Sequence, residues 1–306
     1  MQDTLAQRQE ARPARPEIGE QFLAGQLSRA TTRAYRADVK DFFGCEPGEL
    51  RADDLRAITP GDLVAWRNDR MEAQSAATVA RKLSTLRSLF RTAEALGIVG
   101  ESPLRNGLVR SPRVSVESQT AGLTGKQARA LLDAVTGDGM TAKRDRAMLE
   151  LLLRTGLRRA ELAGANRNDL GEENGHAVLA VIGKGGKRET VKVPVPAKRA
   201  LDEYLAARGD DNAALFVSHA RNGHAGERLS TKAVYRRVRH YAEKAGIEKQ
   251  ITPHSLRHTF VTLALDGGAT VRQVQAAARH ADPKTTMRYD RHRRNLDDHA
   301  SDYLHF

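Results

Sequence analysis

The stretch HSLRH places two histidines and an arginine within five residues, as His254, Arg257 and His258. The apolar residues beside them suit a buried helix, yet a buried arginine without a partner leaves its charge and several donors unsatisfied. The pattern therefore predicts either a helix that faces solvent or a helix that binds an anion. Zinc is not favoured, because Ser255 stands where the H-E-x-x-H motif has its glutamate base.

Three further segments in the same part of the chain carry basic or nucleophilic side chains, namely TGLRRAEL at 155–162, GKGGKR at 183–188 and RHADPKTTMRYDR at 279–291. Each has an ordinary structural explanation when taken alone. Arg158 would begin a helix, Lys184 would lie at a hairpin tip, and Tyr289 would be a half-buried aromatic residue. GKGGKRE is not a nucleotide-binding P-loop, which needs G-x-x-x-x-G-K-[ST] between a strand and a helix.

In this order the four segments resemble the tyrosine recombinase family, which includes the phage integrases and the Xer-type recombinases. The resemblance covers residues 120–306 and, more loosely, the helical first part of the chain. It implies an enzyme that cleaves and rejoins DNA strands through a 3′-phosphotyrosyl intermediate, with no metal and no other cofactor. The residues that it assigns to the catalytic site are Arg158, Lys184, His254, Arg257, His280 and Tyr289.

The resemblance gives these residues separate roles. Arg158 and Arg257 match the two arginines that hold the scissile phosphate, and a guanidinium suits that role because it pairs with phosphate oxygens and stays charged. Tyr289 matches the nucleophile, whose phenol has a pKa of about 10 and needs help to lose its proton. His254 matches its acid/base partner, and His280 matches a histidine that hydrogen-bonds the phosphate.

The remaining assignments leave alternatives open. Lys184 matches the lysine that protonates the departing 5′-oxygen, and Lys187 is the alternative on the same turn. Glu161 matches an acidic residue that supports the site, although a surface contact between residues three apart explains it nearly as well. Gly156 either turns the chain toward Arg158 or simply ends a helix. His258 is interpreted as a packing histidine.

We expect these residues to lie in a mixed α/β catalytic domain at 121–306. Apolar periodicity predicts helices at 123–135, 145–156, 197–208, 230–245, 253–266, 270–279 and 282–290. Two β-rich runs within 176–195 flank a glycine-rich turn and predict a hairpin. Beyond Tyr289, apolar residues on one face predict a C-terminal helix. The resemblance implies that this helix docks on a neighbouring protomer; packing on its own domain is the alternative.

The first part of the chain is predicted to be a bundle of about four helices at 20–105, and the resemblance implies that it is a DNA-binding domain of the SAM-like type. Helical patterns cover 30–44, 59–73 and 75–97. Residues 1–19 are expected to form a flexible arm, and 106–120 a linker. The expected fold class is therefore mainly α with a small β-hairpin or sheet, in the two-domain tyrosine-recombinase architecture.

The 306-residue chain has a formal net charge of +12, and its excess of positive charge lies in the second part. Residues 106–306 carry 34 Lys and Arg against 23 Asp and Glu, whereas residues 1–105 carry 16 against 15. This asymmetry indicates a polyanionic partner, with a basic face that binds nothing in particular as the alternative. The resemblance to the tyrosine recombinases implies that this partner is double-stranded DNA.

Several classes of protein are disfavoured by composition. Cys45 is the single cysteine, which excludes an intramolecular disulfide and a cysteine-based zinc site, and its acidic and apolar neighbours suggest a spare helical cysteine. No clustered carboxylates suit a two-metal nuclease. The sequence has no run long enough to span a membrane and no secretory signal, so a cytoplasmic protein without a membrane partner is expected.

The leading interpretation is a site-specific recombinase that works as a homotetramer in the DNA synapse, for mobile-element integration and excision or for resolution. An accessory DNA-bending protein is left open as a further partner. One alternative is a non-catalytic DNA-binding protein with the same fold. Another is a type IB-like topoisomerase or resolvase, which would have the same active site and would differ in whether two specific DNA sites must pair before exchange.

Overall fold

A computed structural model of the chain describes residues 18–26, 28–105, 107–114, 122–183, 186–219, 225–280 and 282–287. The chain divides into two compact units between residues 115 and 116. This division falls within the predicted linker at 106–120, which stays a prediction. Most of the predicted arm and the predicted C-terminal helix lie outside the described residues.

In the described residues of the first unit, the α-helices are α1 at Ile18–Ala24, α2 at Arg29–Phe43, α3 at Ala52–Arg56, α4 at Pro60–Ala73 and α5 at Ala76–Ala95. The three longest agree with the predicted segments, whereas α1 and α3 were not predicted individually. Their apolar faces enclose a core that includes Phe22, Val39, Leu63, Leu86 and Phe90. Because α1 begins at Ile18, the last two residues of the predicted arm belong to a helix.

Helix starts in this unit follow from capping side chains. Ser28 Oγ accepts a hydrogen bond from the Thr31 main-chain N–H, and Thr59 does the same for Asp62 before α4.

Cys45 follows α2, which Gly44 ends with a φ of 74°, so the prediction that this cysteine is helical was wrong. Burial, together with Asp54 and Glu49, raises the pKa of its thiol. A raised pKa disfavours the reactive thiolate.

The second unit combines helices with one small sheet, in the order α6 at Gly125–Asp133, α7 at Met140–Thr155, α8 at Arg159–Gly164, β1 at Leu170–Glu173, β2 at His176–Ile182, β3 at Arg188–Lys192, α9 at Val195–Arg208, α10 at Thr231–Lys244, α11 at Pro253–Asp266, α12 at Val271–Ala278 and α13 at Pro283–Met287. Helix α7 is the central element: every residue from Ala147 to Leu153 is buried. It packs against α9 and α11. The predicted fold class, mainly α with a small sheet in two domains, is confirmed.

The sheet is antiparallel in the order β1-β2-β3. The predicted hairpin corresponds to β2 and β3, in register with Val181 opposite Glu189. Strand β1 was not predicted, because its residues are mostly exposed and lack apolar alternation. It joins β2 through the two-residue turn Asn174-Gly175, where both φ angles are positive, at 51° and 72°. An Asn-Gly pair is the preferred sequence for such a turn.

Helix α11 carries the HSLRH stretch and begins with reciprocal caps. Thr252 Oγ1 accepts from the Ser255 main-chain N–H at 3.3 Å, and Ser255 Oγ accepts from that of Thr252 at 3.1 Å. Pro253 occupies the first helical position, where its missing N–H costs no hydrogen bond. Serine at this position is therefore explained by capping.

Among the described residues, no helix is both long enough and apolar enough to cross a membrane.

Candidate active site

Arg158 is positioned by a turn that requires glycine. Helix α7 ends at Thr155, and Gly156 follows in the left-handed region with a φ of 60°. A Cβ atom at this position would lie 2.6 Å from Cδ1 of Phe260 on α11, closer than non-bonded carbon atoms approach. Gly156 is therefore both a helix C-cap and a point of close packing, so the two sequence interpretations of this residue are compatible.

Glu161 holds Arg158 by two contacts. Arg158 is the N-cap residue of α8; its main-chain N–H donates to Glu161 Oε2 at 2.8 Å, and its Nη1 donates to Oε1 at 2.6 Å. The Glu161 side chain is only 3% exposed, whereas that of Arg158 is 37% exposed. The sequence left a plain surface contact open for Glu161, and its burial rules that interpretation out. The carboxylate fixes one end of a guanidinium that reaches the surface.

The charge of Glu161 is stabilised by its surroundings. Burial alone would raise the pKa of this carboxyl. Hydrogen bonds from the Arg158 main chain and side chain, together with the charge of Arg279, outweigh burial and hold the pKa below its usual range. Glu161 is consequently ionised at neutral pH and compensates part of the positive charge collected at the site.

Arg257 is buried and held by main-chain carbonyls. Its Nη1 donates to Gly156 O at 2.5 Å, and its Nη2 donates to Ala278 O. The first carbonyl belongs to the turn that precedes Arg158, and the second lies at the last residue of α12. These two bonds fix the plane of the guanidinium between α7 and α12.

The end of α12 is the point where the predicted site residues meet. Arg158 Nη2 donates to Arg279 O at 3.1 Å, so the two arginines bind the carbonyls of consecutive residues, Ala278 and Arg279. His280 follows directly, and its Nδ1 lies 2.8 Å from Thr286 Oγ1. Three segments that are distant in sequence thus converge, and they bring Arg158, Arg257 and His280 together.

Both site histidines titrate below their usual range. For His280, desolvation is the largest cause, followed by the charges of Arg257 and Arg158, and these lower its pKa to about 4. For His254, which is exposed near the start of α11, partial desolvation and the charges of Arg257 and Arg158 lower the pKa as well. Because the charges of both arginines act on His254, this histidine belongs to the same site as Arg158, Arg257 and His280. Both imidazoles are neutral at pH 7.

His258 belongs to the packing of α11, as the sequence predicted. It is buried, and its Nδ1 lies 3.3 Å from Thr262 Oγ1 one helical turn on. A Cβ atom at Gly122 would lie 2.8 Å from this nitrogen, so the chain passes directly over the imidazole.

Arg279 is a site residue that sequence reasoning missed. Its side chain is 6% exposed and its Nη2 donates to Glu161 Oε2 at 2.6 Å. Its backbone is left-handed, with a φ of 56°, which is uncommon for a residue other than glycine. The available signal was an arginine directly before His280 at the end of a predicted helix, and this does not indicate a buried ion pair.

Two predicted site residues, Lys184 and Tyr289, lie outside the described residues, and their assignment stays a prediction. Lys187, the alternative to Lys184, is exposed, and its carbonyl accepts from the Gly183 N–H at 2.8 Å across the end of the hairpin.

A second basic region of the same unit is chemically different. It is a cleft of about 740 Å³ whose lining includes Arg144, His219, Arg236, Arg237 and His240. Arg144 Nη2 and Arg237 Nε donate to the two oxygens of the buried Asp145, at 2.7 and 2.6 Å. Part of its positive charge is thereby compensated within the protein. The cleft contains none of the candidate catalytic residues.

Comparison with protein families matches nearly the whole described chain. Residues 122–295 match the Phage integrase family, and residues 21–97 match the Phage integrase, N-terminal SAM-like domain. The chain is 40% identical over 278 residues to the tyrosine recombinase XerD of Mycobacterium tuberculosis, covering 85% of this chain and 86% of that protein. It is 35% identical over 274 residues to the tyrosine recombinase XerC of Thermodesulfovibrio yellowstonii, covering 86% and 85%.

Solved structures with the same fold include two DNA complexes. A lambda integrase dimer bound to a COC′ core site matches with a TM-score of 0.71 at 20% identity, covering 92% of this chain and 95% of that one. The XerH site-specific recombinase bound to palindromic difH substrate, a post-cleavage complex, matches with a TM-score of 0.68 at 22% identity, covering 85% and 76%. At these identities the two structures are evidence for the fold.

Proposed function

Because this chain belongs to the phage integrase family of tyrosine recombinases, we propose that it cleaves DNA through attack by Tyr289 on a backbone phosphate. The protein is a site-specific recombinase, an enzyme that breaks and rejoins DNA strands. The observation that carries the residue assignments is the meeting of Arg158, Arg257 and His280 at the end of α12, with His254 within the influence of both arginine charges.

The two arginines would bind the non-bridging oxygens of the scissile phosphate. Arg158 reaches the surface, and Arg257 is fixed in plane behind it by Gly156 O and Ala278 O. Donors that are held in place before the substrate arrives need no reorganisation when negative charge develops on the phosphoryl oxygens. His280, neutral because its pKa is about 4, would add a hydrogen bond without adding another charge.

In the first step the Tyr289 oxygen forms a bond to phosphorus, and the bond from phosphorus to the 5′-oxygen breaks. The phenol proton would pass to His254. The lowered pKa of this histidine keeps its imidazole neutral at pH 7, so that it can accept a proton. The departing 5′-oxygen would take its proton from Lys184. The products are a 3′-phosphotyrosyl link and a 5′-hydroxyl.

In the second step the 5′-hydroxyl of another strand attacks the phosphotyrosyl link and releases Tyr289. One phosphodiester is consumed and one is formed, so the exchange needs no nucleotide hydrolysis. We infer that double-stranded DNA is bound by the basic second unit and that four copies assemble around two duplexes. The predicted C-terminal helix would link neighbouring copies, and deleting residues 293–306 should then weaken synapsis more than binding to a single site.

The experiment is a trapping assay with nicked duplexes that carry candidate sites from around the gene of this protein. After cleavage a short 5′-hydroxyl fragment diffuses away, which leaves the protein covalently attached to DNA on a denaturing gel. Adduct with the wild type and none with Tyr289→Phe is the expected result. Adduct with both proteins would assign the nucleophile to another residue and overturn the proposed roles.

A further inference from the structure

Arg279 joins two carboxylates that come from different parts of the second unit. Its Nη2 donates to Glu161 Oε2 at 2.6 Å, and its Nε lies 3.4 Å from Glu189 Oε2. The second contact is an ion pair whose geometry is not that of a hydrogen bond. Glu161 supports Arg158, whereas Glu189 lies on β3. Arg279 thus connects the phosphate-binding arginine to the β2–β3 hairpin.

Glu189 in turn lies against the end of that hairpin. A Cβ atom at Gly183 would come within 2.9 Å of Glu189 Oε2, so the carboxylate contacts the backbone at the residue that follows β2. The Gly183 N–H also donates to Lys187 O at 2.8 Å and closes the base of the turn. The next residue in the chain is Lys184. The contacts therefore run from Arg158 through Glu161, Arg279 and Glu189 to Gly183.

The backbone of Arg279 adopts a left-handed conformation that is unfavourable for a residue with a side chain. A left-handed φ is sterically disfavoured for residues with a Cβ, and glycine would adopt it freely. The position lies at the C-cap of α12, where glycine is the common residue. The arginine here has an almost fully buried side chain that pairs with two carboxylates. A glycine could not make these ion pairs.

We propose that Arg279 is a positioning residue that fixes the β2–β3 hairpin relative to Arg158, so that the 5′-oxygen can be protonated at the phosphate which the arginines bind. This inference rests on the proposed function, in which Lys184 is the proton donor. Arg279 acts through Glu161 and Glu189 and does not itself contact the DNA. Loss of its side chain should therefore impair protonation of the leaving group more than binding of the phosphate.

The test compares two nicked substrates in single-turnover cleavage, one with the natural 5′-oxygen and one with sulfur at that bridging position. A thiol has a pKa of about 8.5, so a thiolate leaves without being protonated. Arg279→Gly should cleave the oxygen substrate about tenfold to a hundredfold more slowly than the wild type, as part of the contribution of a positioned acid. On the sulfur substrate its rate should lie within about threefold of the wild type.

Two further variants make the test specific. Glu189→Gln removes the same contact from the hairpin side and should show the same preference for sulfur, even if Arg279→Gly fails to fold. Asn174→Gly is the matched control, because Asn174 is the other described non-glycine residue with a positive φ and lies at the β1–β2 turn. It should cleave both substrates at the wild-type rate.

The outcomes separate this inference from the proposed function. Wild-type cleavage of the oxygen substrate by Arg279→Gly or by Glu189→Gln would overturn the positioning role and leave the recombinase assignment intact. An equal loss on both substrates would also overturn it, since Arg279 would then act only on phosphate binding. The proposed function would instead be contradicted if the wild type formed no adduct, or if Tyr289→Phe formed the adduct as well.

Discussion

Arg158 and Arg257 donate hydrogen bonds to the carbonyl oxygens of consecutive residues, Arg279 and Ala278, at the end of α12. One arginine begins α8 and the other lies on α11, so neither helix alone determines their spacing. The end of α12 therefore acts as a common reference for both guanidinium groups. It also leads directly into His280, which places a third hydrogen-bonding side chain beside them.

Replacing either arginine by lysine should abolish most of the activity, although the charge is kept. A lysine offers one compact ammonium group and cannot keep the planar set of bonds that Arg257 makes to Gly156 O and Ala278 O. We expect Arg158→Lys and Arg257→Lys to lower the rate of adduct formation by about 10²–10³. Arg199→Lys on the exposed surface of α9 is the control, and a similar loss there would remove the geometric explanation.

Glu161→Gln should weaken both the fold and the site. The substitution leaves Arg158 and Arg279 beside a neutral amide, and breaking a buried ion pair costs several kcal/mol. We expect the free energy of unfolding in urea to fall by about 2–4 kcal/mol. The control is Glu243→Gln, which removes an exposed pair with Arg239 and should have a much smaller effect, because exposed pairs contribute little to stability. Equal effects would contradict the central role of Glu161.

Gly156→Ala should destabilise the second unit and slow cleavage. The added Cβ meets Phe260, and the φ of 60° is itself unfavourable for alanine. Gly209→Ala is a close control, because Gly209 has a φ of 61° and no atom within 4 Å of the position of a Cβ. We expect Gly156→Ala to lower the free energy of unfolding by about 1–3 kcal/mol more than Gly209→Ala. An equal loss would mean that only the φ angle matters.

His280 should stay neutral in the folded protein down to a pH of about 4. The unfolded chain binds this proton near pH 6.5, so the stabilisation associated with the neutral imidazole is complete above that pH and is lost as the pH falls toward 4. NMR titration of the imidazole should give the pKa, and urea unfolding should show a shallower pH dependence for His280→Gln over that interval. A pKa at or above 6.5 would contradict the arginine-rich surroundings of His280.

DNA affinity should fall steeply as salt is added. The basic second part of the chain, with 34 Lys and Arg against 23 Asp and Glu, is expected to neutralise several phosphates and release their counterions. For about six such contacts, affinity should drop about a thousandfold between 50 and 200 mM salt, measured by fluorescence anisotropy with a labelled duplex. An affinity that hardly changes with salt would leave the charge asymmetry without a role in binding.

The predictability of the fold followed the strength of the local patterns. Helices such as α5 and α11 combine an apolar period with clear caps, and their bounds agree closely with the sequence prediction. Helix α8 was predicted only by its start at Arg158, because it is short, and strand β1 was missed because it is short and largely exposed. The Asn174-Gly175 pair was the one available cue for the third strand.

The candidate site was predictable in its residue types and less so in its connections. The motifs identified Arg158, Arg257 and His280, and the structure brings them together. The burial of Glu161 and its second partner, Arg279, could not be foreseen, because they depend on where the end of α12 lies relative to Glu161. Spacing along one helix gives local neighbours, whereas this ion pair joins residues more than a hundred positions apart.

The long sequence separation of these contacts has a consequence during protein synthesis. Arg158 and Glu161 are translated well before Arg279, and Arg257 reaches Gly156 only across 101 residues. A nascent chain that ends before α12 lacks the carbonyls which orient both arginines and the histidine that follows them. A truncated product that ends before α12 would therefore carry Arg158 and Arg257 without the carbonyls of Ala278 and Arg279 that they bind.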